Sequence, residues 1–136
     1  MASAVVSDNF ETSTGAIPQL GGADVTNRLC SAWVNFNGTG TVAIRDSFNV
    51  SSITDIANGK FNVNFTTALS SADYTPQVSA PSYQAANDAV GARISGHASL
   101  VGTPALQTTS SLQVAWGNNV STYYDPNYYY VAIFGN

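Results

Sequence analysis

With 136 residues, a net charge of −4 and only 9% charged residues, against ~25% in an ordinary soluble domain, the chain has the length of one domain and is poor in charge. Its four basic residues, Arg28, Arg45, Lys60 and Arg93, make no footprint for nucleic acid, and no apolar run approaches the ~18 residues of a membrane-inserted segment. Lysine and glutamate occur once each, at Lys60 and Glu11, so Ser, Thr and Asn must supply the polar surface, which suits strands and turns better than helix faces.

Residues 1–27 read as an extended N-terminal arm. Gly15, Pro18, Gly21 and Gly22 interrupt any period, and apolar anchors such as Val5, Val6, Phe10, Ile17 and Leu20 are scattered. A polar terminus of this kind orders only when something ties it down, so another chain is the expected partner and these five anchors are candidate interface residues. The first eight residues have neither a basic nor an apolar signal-peptide region, so no secretory leader is expected and Met1 reads as a native start. The single cysteine, Cys30, leaves no intramolecular disulfide and fits synthesis in a reducing cytoplasm.

From 28 to 136 the period becomes two, as in a β-sandwich domain. In Cys30-Ser31-Ala32-Trp33-Val34-Asn35-Phe36 the alternates Cys30, Ala32, Val34 and Phe36 form the expected core face. Asn37-Gly38-Thr39-Gly40 follows, then Thr41-Val42-Ala43-Ile44-Arg45, which predicts a hairpin. A second pair is expected at 46–53 and 60–67, reversed at Asn58-Gly59. Further strands are expected at 73–80, 91–100, 107–116 and 127–134, with a weak helix candidate at 83–90. The fold class is all-β: an antiparallel, jelly-roll-like sandwich of seven to eight strands.

Catalytic chemistry finds little support. Cys30 and His97 are the only thiol and imidazole, and Cys30 falls in phase with the core. The eight acids are scattered, with Asp46, Asp55, Asp73 and Asp125 at expected strand ends, where Asp caps turns. No spacing makes a glycosidase pair, a zinc set or a calcium loop, so no catalytic residue, metal or cofactor is expected. Asn37, Asn49, Asn64 and Asn119 match the glycosylation pattern, as chance allows in so Asn-, Ser- and Thr-rich a chain.

One cluster stands out: Tyr123, Tyr124, Tyr128, Tyr129 and Tyr130. On a strand Tyr128 and Tyr130 share one face while Tyr129, Val131 and Ile133 share the other, so one set enters the core and the other meets a neighbour or solvent. A tyrosine ring with a polar tip serves subunit interfaces and sugar stacking alike. Tyr124 and Tyr129 join the candidate interface residues, with a host glycan as the other candidate partner.

The run Ala32-Trp33-Val34-Asn35-Phe36-Asn37-Gly38-Thr39-Gly40-Thr41-Val42-Ala43-Ile44-Arg45 resembles a module of bacteriophage tail-fibre and other virion surface proteins. The resemblance continues through Asn49-Val50-Ser51-Ser52-Ile53-Thr54-Asp55, Phe61-Asn62-Val63-Asn64-Phe65-Thr66-Thr67-Ala68-Leu69 and Asp73-Tyr74. It resumes at Val131-Ala132-Ile133-Phe134-Gly135-Asn136. It covers 28–80 closely and the last strand more loosely. The resemblance implies a small, non-enzymatic β module, commonly a homotrimer, on the virion surface and made in the host bacterial cytoplasm. The segment 56–60 departs from the Gly-rich, acidic turn of that module, and no shaft or heptad precedes it here. The expected function is therefore a trimeric capsid decoration (cement) protein touching the major capsid protein. The alternative is a tail-fibre tip, joined to tail components and contacting the host surface.

Overall fold

The structure is a computed structural model that describes residues 19–20, 23–24, 29–81, 91–94, 106–117 and 122–135, with the backbone alone at 19–20, 23–24 and 91–94. Strands β1 (Gln19–Leu20) and β2 (Ala23–Asp24) pair with each other, Gln19 opposite Asp24 and Leu20 opposite Ala23. Val5, Val6, Phe10 and Ile17, the helix candidate at 83–90, and His97 all lie outside the described residues.

Eight further strands make two four-stranded antiparallel sheets. They are β3 (Cys30–Asn37), β4 (Ala43–Phe48), β5 (Val50–Ala57), β6 (Lys60–Phe65), β7 (Thr75–Ser79), β8 (Gly91–Ile94), β9 (Ser111–Gly117) and β10 (Tyr129–Phe134). One sheet runs β4-β3-β10-β7 and the other β5-β6-β9-β8. The two sheets share one core, and the all-β sandwich read from the alternation is the fold observed. Both expected hairpins form: Asn37 faces Ala43 across the first loop, and Ala57 faces Lys60 across Asn58-Gly59.

The expected strand 46–53 does not exist as one element. Asp46 to Phe48 close β4, Asn49 takes a left-handed conformation (φ 54°), and the chain enters the other sheet at Val50. Asparagine is one of the few residues that visits this region readily. Its side chain then fastens the corner: Nδ2 donates to the carbonyls of Ser31 (3.2 Å) and Thr67 (3.1 Å), while Oδ1 accepts from the Thr67 amide (2.8 Å). Cys30 also departs from expectation. The register jumps from Ile133 opposite Ala32 to Phe134 opposite Cys30, so an irregularity at Ser31 takes Cys30 out of phase and leaves it half-buried.

The core is built from the alternate residues of the inner strands. Ala32, Val34 and Phe36 of β3 and Tyr129, Val131 and Ile133 of β10 face Phe61, Val63 and Phe65 of β6 and Leu112, Val114 and Trp116 of β9. Burying each large apolar side chain contributes roughly 1.5–3 kcal/mol. Phe36, Phe61 and Tyr129 form an aromatic centre: Tyr129 stacks on Phe36 at 5.2 Å, and Phe61 meets both edge-on. A second pair, Phe65 and Tyr74, closes the other side of the core at 5.9 Å.

Tyr74 is buried, and its hydroxyl donates to the Ser111 carbonyl at 3.0 Å. Burial pushes its phenol from 10.0 up to about 12. Between those two values the unfolded chain has lost a proton that the folded chain keeps, so stability falls as pH rises through that window and is unaffected by this group below it. Urea unfolding across alkaline pH should show Tyr74→Phe with a shallower decline than the parent. Equal slopes would show that this phenol does not titrate differently on unfolding.

Candidate functional site

Three loop segments are knitted together at one end of the sandwich. Asn58-Gly59 is a two-residue reversal whose Gly59 has φ 64°. The Gly59 amide donates to Asp125 Oδ1 at 2.6 Å, its carbonyl accepts from the Trp116 amide at 2.8 Å, and Asn58 Nδ2 donates to the Tyr123 carbonyl at 2.6 Å. The Tyr124 amide donates to the Trp116 carbonyl at 3.1 Å. From the other hairpin the Gly38 amide donates to the Pro126 carbonyl at 2.9 Å, and Thr39 Oγ1 lies 2.8 Å from Asn127 Oδ1. Side-chain oxygens and amides of short polar residues are suited to holding turns in this way.

Between these loops lies an open groove of about 560 Å³. Its apolar walls are Trp116, Tyr124, Tyr128, Pro81 and Pro126. Trp116 and Tyr124 meet edge-on at 5.7 Å. Thr39, Asn58, Asp125 and Asn127 supply its polar lining. Asn58 and Asp125 are each anchored by one atom of a planar group, which leaves Asn58 Oδ1 and Asp125 Oδ2 without partners among the described residues. Trp116 is 2% exposed, and its indole Nε1 is buried with no hydrogen-bond partner among the described residues. Leaving such a donor unpaired costs about 1–3 kcal/mol, which is uncommon enough in a folded protein to need a reason.

The two outer sheet faces differ in character. On the β5-β6-β9-β8 sheet Asn64 Nδ2 donates to Ser52 Oγ and Thr54 Oγ1, and Gln113 Nε2 donates to Asn62 Oδ1. These side chains form a hydrogen-bonded polar patch, and Ile56 near the end of β5 is exposed. On the β4-β3-β10-β7 sheet several aromatic side chains project outward, set among polar ones such as Asn35, Asp46, Thr75, Gln77 and Ser79. Phe48 is 54% exposed and pairs with Trp33, while Tyr130 and Phe134 project from β10 at 41% and 39%. Tyr128 stacks on Tyr130 at 6.3 Å, with the Arg45 guanidinium 4.1 Å above its ring. Asn35, opposite both Asp46 and Tyr130 in register, has a buried Oδ1 with no hydrogen-bond partner among the described residues.

Tyr129 is not an interface residue. It is fully buried, and its hydroxyl reaches across the sandwich to donate to the Ala115 carbonyl at 2.7 Å. Val131 and Ile133 share its phase and draw it inward, so Tyr128 and Tyr130 are the tyrosines presented outward. Tyr124 is half-buried in the groove wall rather than set on a sheet face. Leu20 is described by its backbone alone, in β1. Comparison of the chain with protein-family models, curated proteins and solved structures finds no match. Among the described residues no group of three or more His, Cys, Asp or Glu is placed to hold a metal ion.

Trp33 and Phe48 were legible only as strand residues. Trp33 falls out of phase with Ala32 and Val34, which in a half-buried strand places it outside. The polar lining of the groove carries no local signal, since its residues lie in separate turns.

Proposed function

We propose that this chain is a non-enzymatic structural protein of a bacteriophage virion, a capsid decoration protein that assembles as a homotrimer on the particle surface. The particle assignment draws on the resemblance of 28–80 to virion surface modules. The observation that carries the assembly is the aromatic outer face of the β4-β3-β10-β7 sheet. Phe48, Trp33, Tyr130 and Phe134 lie on one side of the molecule, whereas the opposite sheet carries the hydrogen-bonded side chains of Ser52, Thr54, Asn62, Asn64 and Gln113. Apolar aromatic surface gathered on one face marks interaction sites, and Tyr, Trp and Phe are enriched at subunit cores.

In this reading the arm supplies the attachment. Residues 1–26 add to a neighbouring shell subunit through main-chain bonds, as segments that extend another sheet do. None of the strands of the two main sheets comes from that segment, so its deletion should leave the sandwich folded. The test is a particle-binding assay with the chain lacking 1–26, alongside a mass measurement of the intact protein. A folded deletion variant that no longer coats particles, together with a trimer at micromolar concentration, is the expected result. Normal coating by the deletion variant, or a monomeric intact protein, would sink the respective half of the proposal.

A second reading, a tail-fibre tip that contacts the host surface, is favoured by the loop-end groove. Imaging the protein on head or tail separates the two.

A further inference from the structure

We propose that the groove at the loop end of the sandwich is a binding site for a neutral sugar unit of a glycan chain. Its size, about 560 Å³, falls within the ~300–1,000 Å³ typical of small-molecule sites, and it is open to solvent at the mouth, so a longer chain can run on from a bound ring. A sugar ring has one largely C–H surface and a rim of hydroxyls. The groove answers both. The rings of Tyr124 and Tyr128 and the Pro126 ring offer apolar wall to the C–H surface. Around them stand polar side chains of types that pair with hydroxyls: Thr39, Asn58, Asp125 and Asn127.

Two features make the site a built one. Asn58 and Asp125 are each held by a bond to a backbone group 2.6 Å away, so their free atoms are fixed before a ligand arrives. The Trp116 side chain lines the groove, and its buried indole N–H has no hydrogen-bond partner among the described residues, so a ligand hydroxyl that reached it would satisfy it. Charge decides the ligand class. Among the described residues the groove lining contains no cation: Arg45 sits over Tyr128 and Lys60 over Tyr123, and neither lines it. Its one ionisable acid, Asp125, disfavours an anion and already accepts from the Gly59 amide. A neutral, hydroxyl-rich ligand fits best.

The test uses the full chain labelled with ¹⁵N. Glucose, galactose and N-acetylglucosamine are each titrated, with sialic acid and choline as charged comparisons, followed by a neutral oligosaccharide of any sugar that binds. The two indole N–H resonances are followed, and Trp116→Phe identifies which belongs to Trp116. The expected result is a saturable movement of the Trp116 signal with at least one neutral sugar while the Trp33 signal stays still. The oligosaccharide should bind more tightly than its monomer, as a glycan-chain site requires. Asn127→Ala, at an exposed position whose substitution leaves the core intact, should weaken binding about tenfold. No saturable movement with any of the three sugars would overturn the proposal. So would movement of the Trp33 signal instead, or a response confined to sialic acid or to choline. A monomer that binds as well as its oligomer would overturn the glycan-chain part. The readout is on isolated protein, so failure to bind sugar and failure to decorate particles are separate results.

Discussion

Tyr129→Ala is expected to remove most of the stability of the domain. The side chain is fully buried, stacks on Phe36 and meets Phe61 edge-on, so its loss opens a cavity between the two sheets. Truncating a buried aromatic residue costs about 3–5 kcal/mol. The hydroxyl adds a bond from one sheet to the Ala115 carbonyl of the other, and losing it costs roughly another 1 kcal/mol. Against a typical domain stability of about 5–15 kcal/mol, the variant should be largely unfolded or should melt far below the parent. Tyr129→Phe separates the two contributions. It keeps the stack and loses only the hydroxyl bond, so it should fall by about 1–2 kcal/mol. Urea denaturation of the three proteins checks this. Near-equal midpoints for the Ala and Phe variants would mean that Tyr129 does not hold the sheets together.

Gly59→Ala carries the second largest expected effect. A β-carbon there would stand 2.6 Å from the Trp116 carbonyl oxygen and 2.6 Å from both the amide nitrogen and the carbonyl oxygen of Tyr124. These are backbone atoms of two other segments and cannot move aside as a flexible side chain does. The conformation itself, φ 64°, adds about 1–2 kcal/mol for a residue with a side chain. Displacing the turn also strains the bonds from the Gly59 amide to Asp125 and from the Trp116 amide to the Gly59 carbonyl. Together these predict a loss of about 3–4 kcal/mol. Gly40 provides the control. Its φ is 62°, nearly the same, but a β-carbon there meets nothing within 4 Å. Gly40→Ala should therefore lose only the conformational part, about 1–2 kcal/mol. Equal losses for the two variants would show that the contacts around Gly59 contribute nothing.

The same glycine marks how far local sequence reading reaches. Asn58-Gly59 announces a tight reversal between two alternating runs, and the reversal is there. Nothing near it announces that Trp116 and Tyr124 pack against the turn, because those contacts join segments far apart in the chain. The hairpin of β3 and β4 was legible for the same local reason, through alternation on both sides of a Gly-rich loop. The corner at Asn49 was not. Residues 46–53 alternate well enough to pass as one strand, and the single residue that leaves the β region is visible only through the two carbonyls its side chain reaches. Cys30 was misread because period-two counting assumes an unbroken register, which the irregularity at Ser31 violates. For Tyr129 the signal was present in Val131 and Ile133. Two aliphatic residues in phase outweigh an outward tyrosine, since Tyr128 and Tyr130 can keep their hydroxyls in water.

The place of β10 also sets the order in which the molecule can be completed. It lies between β3 and β7, paired to both, and it contributes Tyr129 to the aromatic centre. Until residues 129–134 are available, β3 and β7 each present an unpaired edge, and the cleft that Tyr129 fills is open to water. Such edges invite strand addition from other molecules. Pairings between distant parts of a chain form slowly, because a long loop must close before any contact rewards it. The β4-β3-β10-β7 sheet is therefore complete only once residues 129–134 dock, and until then its open edges are where another chain could pair.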